Sequence, residues 1–171
     1  MSEVTYREAT ENDFPIMKQY YTKLNSHFHQ FGYRLPVPEN VGEVWLDTFK
    51  RTLGKFSITY IAEYEGKVVG FLLARIKRLP PYMGGQFVGE LSDEWVEPEV
   101  RRLGVGAHMC HMALEWLRTQ KVHSVEIQVL NGNEPSWKML SAMGFKQELR
   151  LGRMYWDEYI PENQNNSRED A

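Results

Sequence analysis

Between Val96 and Ala107 the chain reads Val-Glu-Pro-Glu-Val-Arg-Arg-Leu-Gly-Val-Gly-Ala, and this stretch constrains the fold more than any other. Upstream, Gln86 to Val96 has the composition of a strand. Downstream, Gly104 to about Gln120 carries Val105, Met109, Met112, Ala113, Trp116 and Leu117 on one helical face, with His108, His111, Glu115 and Arg118 on the other. A strand therefore hands over to a helix through two glycines spaced two apart. Glycine permits close backbone approach, and a helix start leaves N–H groups unsatisfied at the positive end of the dipole. Such a junction suits a phosphate. The same glycines also suit a plain tight turn, and spacing alone leaves both readings open. A dinucleotide fingerprint needs a third glycine where Met109 stands, and a P-loop needs Ser or Thr after Gly-Lys, where this chain has Phe56 and Val68. Neither nucleotide motif is present.

The remaining elements set this junction late in an alternating chain. Val4 to Arg7 reads as a strand. Thr10-Glu11-Asn12-Asp13 then offers capping chemistry for a helix to about Asn25, with Phe14, Ile16, Met17, Tyr20, Tyr21 and Leu24 on its apolar side. Ser26 to Asn40 reads as an ordered aromatic loop, and Val41 to Leu53 as a second helix ending at Gly54. Ser57–Glu63 and Lys67–Ile76 form a hairpin about Glu65-Gly66. Ser124 to Leu130 alternates as a strand. Glu134-Pro135 opens a short helix to Met143, and a final strand pair surrounds Leu151-Gly152. The order predicts an α/β (α+β) fold: a mixed, mostly antiparallel central sheet with helices on both faces, its parallel part lying across Leu91–Leu130.

With 171 residues, this is expected to be one domain over residues 1–160, followed by a disordered tail over 161–171. The formal net charge of -3 advertises neither nucleic acid nor an anionic membrane. One cysteine, Cys110, excludes an intramolecular disulfide. The opening residues lack the pattern of a secretory signal, no apolar run approaches the ~20 residues of a membrane span, and the cytoplasm is the expected compartment. Among the five histidines no zinc spacing is found, and none is assigned to a metal.

Arg101-x-x-Gly104-x-Gly106, following a Val-x-Pro-Glu strand exit, resembles the acyl-CoA signature of the GNAT superfamily of N-acetyltransferases. A second mark of that family appears as Asn133, Ser136 and Gly144-Phe145, and the element order fits most of the chain. The resemblance implies acetyl-CoA as cofactor and CoA as product. The backbone amides of Arg101, Arg102, Leu103, Gly104, Val105, Gly106 and Ala107 would hold its pyrophosphate. The backbone at Trp95 and Val96 would pair with its pantetheine arm, and Asn133, with Ser136 in the same motif, would meet it from the next loop. Arg102 stands where a glycine is common, and its side chain would add a charge contact.

Acyl transfer to a primary amine, whose pKa is about 10.4 for a lysine-like group, needs a proton acceptor. Glu90, Asp93 and Glu94 lie just ahead of the junction. Uninterrupted alternation puts Glu90 and Glu94 on one face and Asp93 on the other, with Glu90 preferred as base. These acids also suit plain solvated or ion-paired strand positions. The family's usual tyrosine acid is replaced by Leu140, leaving Tyr155 as the candidate acid. His27, His29, Phe31 and Tyr33 occupy a loop where the family commonly meets its substrate, although packing of the aromatics on the sheet accounts for them equally well. The expectation is an acetyl-CoA-dependent N-acetyltransferase acting on a primary amine of a small molecule or peptide, with a cationic acceptor favoured by the acids. The alternative is a non-catalytic acyl-CoA-binding module, suggested by Leu140. Edges in the C-terminal half offer a surface for a homodimer.

Overall fold

The computed structural model describes residues 3–161. In chain order it contains β1 (Thr5–Glu8), α1 (Phe14–Phe28), α2 (Val41–Asp47), β2 (Ser57–Tyr64), β3 (Lys67–Arg78), β4 (Phe87–Val96), α3 (Val105–Thr119), β5 (Val125–Ile127) and α4 (Glu134–Ala142), with short 3-10 turns between them. The chain divides into two compact units, one running to Met139 and one from Leu140. The expected tail lies, apart from Pro161, outside the described residues.

The first unit carries a sheet of order β1-β2-β3-β4-β5, antiparallel throughout except for β4 against β5. The turn between β2 and β3 holds Glu65 at φ 51° and Gly66 at φ 74°, the two left-handed positions of a tight hairpin whose twist matches its strands. Helices α1 and α2 cover one face. Their Met17, Tyr20, Leu24, Trp45 and Leu46 pack with Phe49 and with Ile61, Phe71, Leu73 and Trp95 of the sheet. The close approach of the two helices depends on Gly42, where a Cβ would come within 2.6 Å of the Lys18 carbonyl oxygen. Helix α3 brings Val105, Met109, Cys110, Ala113 and Leu117 into the core, and Leu117 seats against Gly89 of β4. The sheet thus has helices on both faces.

At the β1–α1 junction, Asp13 accepts hydrogen bonds from the Thr10 backbone N–H (2.7 Å) and from both Nη atoms of Arg7 (2.8 and 2.7 Å), while Arg7 also pairs with Glu63. The Arg7 guanidinium, outweighing burial, holds the Asp13 carboxyl down at about 2. A depressed folded-state pKa gives stability that is full above the unfolded value of 3.8 and is lost as pH falls through about 2. Asp13 should therefore contribute about 2 kcal/mol at neutral pH. Urea midpoints measured from neutral to acid pH should fall less steeply for Asp13→Asn, and parallel curves would exclude the role.

Several boundaries move. Helix α1 continues to Phe28 and runs into a 3-10 turn at His29–Phe31, so His27 is helical rather than in a loop. Helix α2 stops at Asp47 rather than Leu53. The final strand pair is absent: residues 145–155 take no regular structure, with Leu149 and Leu151 85% and 86% exposed. An alternating pattern becomes a strand only where a neighbouring edge pairs with its N–H and C=O groups, and among the described residues no ladder reaches this segment.

Candidate active site

The β4–β5 ladder pairs only Gly89, Glu90 and Leu91 with Val125, Glu126 and Ile127, yet β4 runs on to Val96. Among the described residues, its edge from Ser92 to Val96 has no ladder partner. Which groups face that open edge follows from the other side of the strand. Glu97 N–H donates to Val69 O at 2.8 Å, and antiparallel bonded and non-bonded pairs alternate from there. Trp95 is thus bonded to Phe71, while Val96 and Glu94 turn their N–H and C=O outward. The Val96 carbonyl accepts from Arg101 Nε at 2.8 Å, and the Arg101 guanidinium lies 4.9 Å from the Trp95 ring centroid. Of the two backbone positions expected at this edge, Val96 is therefore the one the register presents, with its N–H available. Trp95 contributes its ring.

Past the edge, Pro98–Val100 forms a 3-10 turn, Arg102 takes φ 66°, and Gly104 takes φ 81° at the N-cap of α3. The left-handed φ at Arg102 explains why glycine suits that position. The first bond of the helix is His108 N–H to Gly104 O, leaving the N–H groups of Val105, Gly106 and Ala107 without helical partners at its positive end. These are the chain's features that fit a diphosphate-bearing cofactor: an unpaired extended edge leading to a crown of free amides.

The three acids of β4 occupy three different environments. Leu73 pairs with Asp93 but Ala74 pairs with Leu91, so Ser92 is an inserted residue, a β-bulge. Because opposed residues share a face, Glu90 lies with Arg75, Asp93 with Leu73 and Trp95 with Phe71, all on the α1–α2 side. Glu94 lies with Leu72 on the α3 side. This overturns the expected sharing of a face by Glu90 and Glu94; period two was assumed through a position where one residue is inserted.

Glu90 pairs with Arg75 Nη2 (2.8 Å) and Lys77 Nζ (3.0 Å). Burial opposes its ionisation, but the two cations prevail and its pKa is lowered. Asp93 Oδ2 accepts from Trp45 Nε1 (3.0 Å) and from the Ser92 hydroxyl (2.7 Å), which in turn accepts from Arg75 Nη2 (2.7 Å). Burial raises the Asp93 carboxyl above its ordinary value despite those lowering contacts. Glu94 Oε1 is buried with no hydrogen-bond partner, at a point 2.4 Å from where a Cβ on Gly106 would lie, and burial pushes its carboxyl up to about 7.

Around Asp93 the aromatic residues converge. Tyr21 stacks on Trp45 at 4.5 Å, and its hydroxyl is pushed up to about 12 by burial and then by Asp93 and Tyr33. Sequence periodicity placed Tyr21 and Trp45 on helices but gave no sign that they border an acid. His27 meets Phe31 edge-on at 5.1 Å and Trp95 at 6.0 Å. His29 Nδ1 lies 2.6 Å from Tyr33 O and serves the turn itself.

Asn133 caps α4: its Oδ1 accepts from Ser136 N–H at 3.4 Å, and its carbonyl accepts from Trp137 N–H. In the second unit, Gly144 at φ 100° ends the helix, with Gly144 N–H to Ser141 O and Phe145 N–H to Leu140 O. The Asn…Gly-Phe segment is thus a helix closed at both ends. Tyr155, extended before the 3-10 turn Trp156–Glu158, belongs to the second unit. Among the described residues no cluster of His, Cys, Asp or Glu could hold a metal ion, and no helix is long and apolar enough to cross a membrane.

Comparison with known proteins gives a consistent result. A model of the acetyltransferase (GNAT) family matches residues 19–145. An N-alpha-acetyltransferase of Sulfurisphaera tokodaii is 26% identical over 133 residues, 72% of this chain and 76% of the relative. Among solved structures, the aminoglycoside N-acetyltransferase AAC(6')-Iy in complex with CoA aligns with TM-score 0.71 at 17% identity, over 91% of this chain and 95% of its own. A transcriptional regulator from Bacillus halodurans C-125 aligns with TM-score 0.68 at 19% identity, over 90% and 100%. At such identities the structures speak for the fold alone.

Proposed function

The chain belongs to the GNAT acetyltransferase family, and from that premise we propose that it is an acetyl-CoA-dependent N-acetyltransferase that acylates a primary amine directly. The observation that carries this reading is the open β4 edge running into the free amides of α3, on the same strand as a raised-pKa carboxyl at Asp93. The reading takes residues 1–160 as one acetyltransferase domain.

When bound, acetyl-CoA supplies the acyl group as a thioester. The amides of Arg102 to Ala107 would hold its phosphates, with Arg102 adding charge; the Arg101 N–H expected among them already donates to the Pro98 carbonyl at 3.3 Å, and Asn133 and Ser136 would border the cofactor's arm. Val96 N–H is the donor placed to polarise a carbonyl at the open edge, since the Val96 oxygen is already taken by Arg101. Asp93 is the better proton acceptor of the three acids. Glu90 is committed to two cations, and Glu94 faces α3 rather than the aromatic residues of the α1–α2 side. A carboxyl raised above its usual range removes a proton from an ammonium more readily than an ordinary one. Trp45 and the Arg75–Ser92 chain hold Asp93 in place. His27, His29, Phe31 and Tyr33 would border the acceptor. The leaving thiolate, a group with a pKa near ~8.5, leaves tolerably unaided.

Acetyl-CoA at about a hundred times its Kd should stabilise the protein by roughly 2.7 kcal/mol, seen as a raised melting temperature. Gly106→Trp should abolish that rise, because a side chain there collides with the buried Glu94 carboxyl and displaces the first turn of α3 that carries the free amides. No shift of the unaltered chain at millimolar acetyl-CoA would overturn the proposal. A shift without thiol release on any amine would leave an acyl-CoA-binding module instead.

A further inference from the structure

The charges on the acceptor face are already largely spent against one another. Glu90 is held by Arg75 and Lys77, and Lys77 reaches across to Glu126 at 2.8 Å, its own pKa raised by the two glutamates against the effect of burial. Two cations thus answer three carboxylates. The one left without an ion pair is Asp93, whose contacts are an indole N–H and a hydroxyl. Its surroundings on the α1 and α2 side are aromatic: Trp45 directly, Tyr21 stacked on Trp45, and Tyr33 close enough to bear on the Tyr21 hydroxyl.

We propose that this face selects a monoamine carried on an apolar or aromatic body, and that Arg75 and Lys77 are specificity-determining residues that turn polycations away. The inference rests on the acetyltransfer reading and narrows its acceptor. A single ammonium finds one uncompensated carboxylate at Asp93, and the body behind it finds the half-buried Tyr21 and Tyr33 rings, Trp45 lying buried beneath Tyr21, where apolar burial and cation–π attraction both favour it. A second ammonium on the same molecule finds no free acid. Beside Glu90 and Glu126 it meets the Arg75 guanidinium and the Lys77 ammonium, and like charges brought together cost affinity. The sequence alone points the other way, because the acids are visible there without their partners.

The test is thiol release from acetyl-CoA by the full chain across a panel of 2-phenylethylamine, tyramine, spermidine and kanamycin, with calorimetric titration of each amine in the presence of CoA. The aromatic monoamines should exceed spermidine and kanamycin in kcat/KM, and in affinity, by at least about tenfold. Equal or higher values for the polycations would overturn the inference while leaving the acetyltransferase reading intact. Turnover of none of the four amines or of any wider panel, with the acetyl-CoA melting shift retained, would remove the catalytic reading and this inference with it. The double variant Arg75→Met/Lys77→Met should move the spermidine-to-tyramine ratio toward spermidine by about tenfold. Lys77→Met alone, which leaves the Arg75–Ser92 bond in place, should move it in the same direction, so the assignment remains testable if the double variant folds poorly. An unchanged ratio in the folded variants would reject the two cations as specificity determinants.

Discussion

Asp93→Asn should lower kcat/KM for the preferred amine by about 10²- to 10⁴-fold, the range that a positioned general base supplies, with acetyl-CoA binding little changed. The asparagine keeps an oxygen for Trp45 Nε1 and the size of the side chain, so the loss would be one of proton acceptance rather than of packing. The sign of the pH dependence follows from the environment. Burial raises the Asp93 pKa, and an amine reacts only when neutral, so the unaltered enzyme should gain activity as pH rises through a limb above the usual carboxylate range. In Asp93→Asn the remaining activity should climb further into the alkaline region, following the fraction of free amine. Glu90→Gln offers the contrast. It breaks ion pairs with Arg75 and Lys77 and should cost stability and shift acceptor preference more than it reduces the chemical step. If Glu90→Gln shows the large loss and Asp93→Asn the small one, the roles are exchanged.

The second large effect is on stability. Glu94→Gln should be more stable than the unaltered chain above pH 7 by roughly 3 kcal/mol in the absence of cofactor, with the gain shrinking toward pH 4.5. A carboxyl raised in the folded state to about 7 from 4.5 keeps its proton when the unfolded chain has already lost it. Between those values the folded state binds more protons, so stability declines with rising pH, and the full cost of a buried, unpartnered charge stands above pH 7. The amide removes the charge at nearly constant shape. Urea denaturation of both proteins across this range should give curves that converge at acid pH and separate at neutral pH. Curves that remain parallel would show that Glu94 carries no such burden.

The same residue illustrates how far the chain could be read unaided. Helix α3 and its glycine junction were legible because they are local: an apolar stripe at helical spacing, a strand before it, and two glycines in residues that follow one another. The hairpin about Glu65-Gly66 was legible for the same reason, as were the start of α4 at Glu134-Pro135 and its stop at Gly144. Arg102 stands where a glycine is common, and only the backbone φ of 66° supplies the reason. What failed were inferences that carried a local period through a non-local event. Glu90, Asp93 and Glu94 were all visible as acids, but the period-two rule placed Glu94 beside Glu90.

Sequence by itself determined the order of elements as far as α4, from which the mixed sheet follows, and the glycine junction before α3, because each shows in a pattern carried by residues close in the chain. Tertiary structure alone decided the chemistry of the three acids. The bulge at Ser92 exists only in the pairing of β4 with β3, and it turns Asp93 toward Trp45 and Glu94 beneath Gly106. Arg75 and Lys77 neutralise Glu90 because the register of those same strands brings them opposite it. A carboxylate's strength is set by what surrounds it in space, and neighbours brought in by strand pairing leave no mark on the sequence around it.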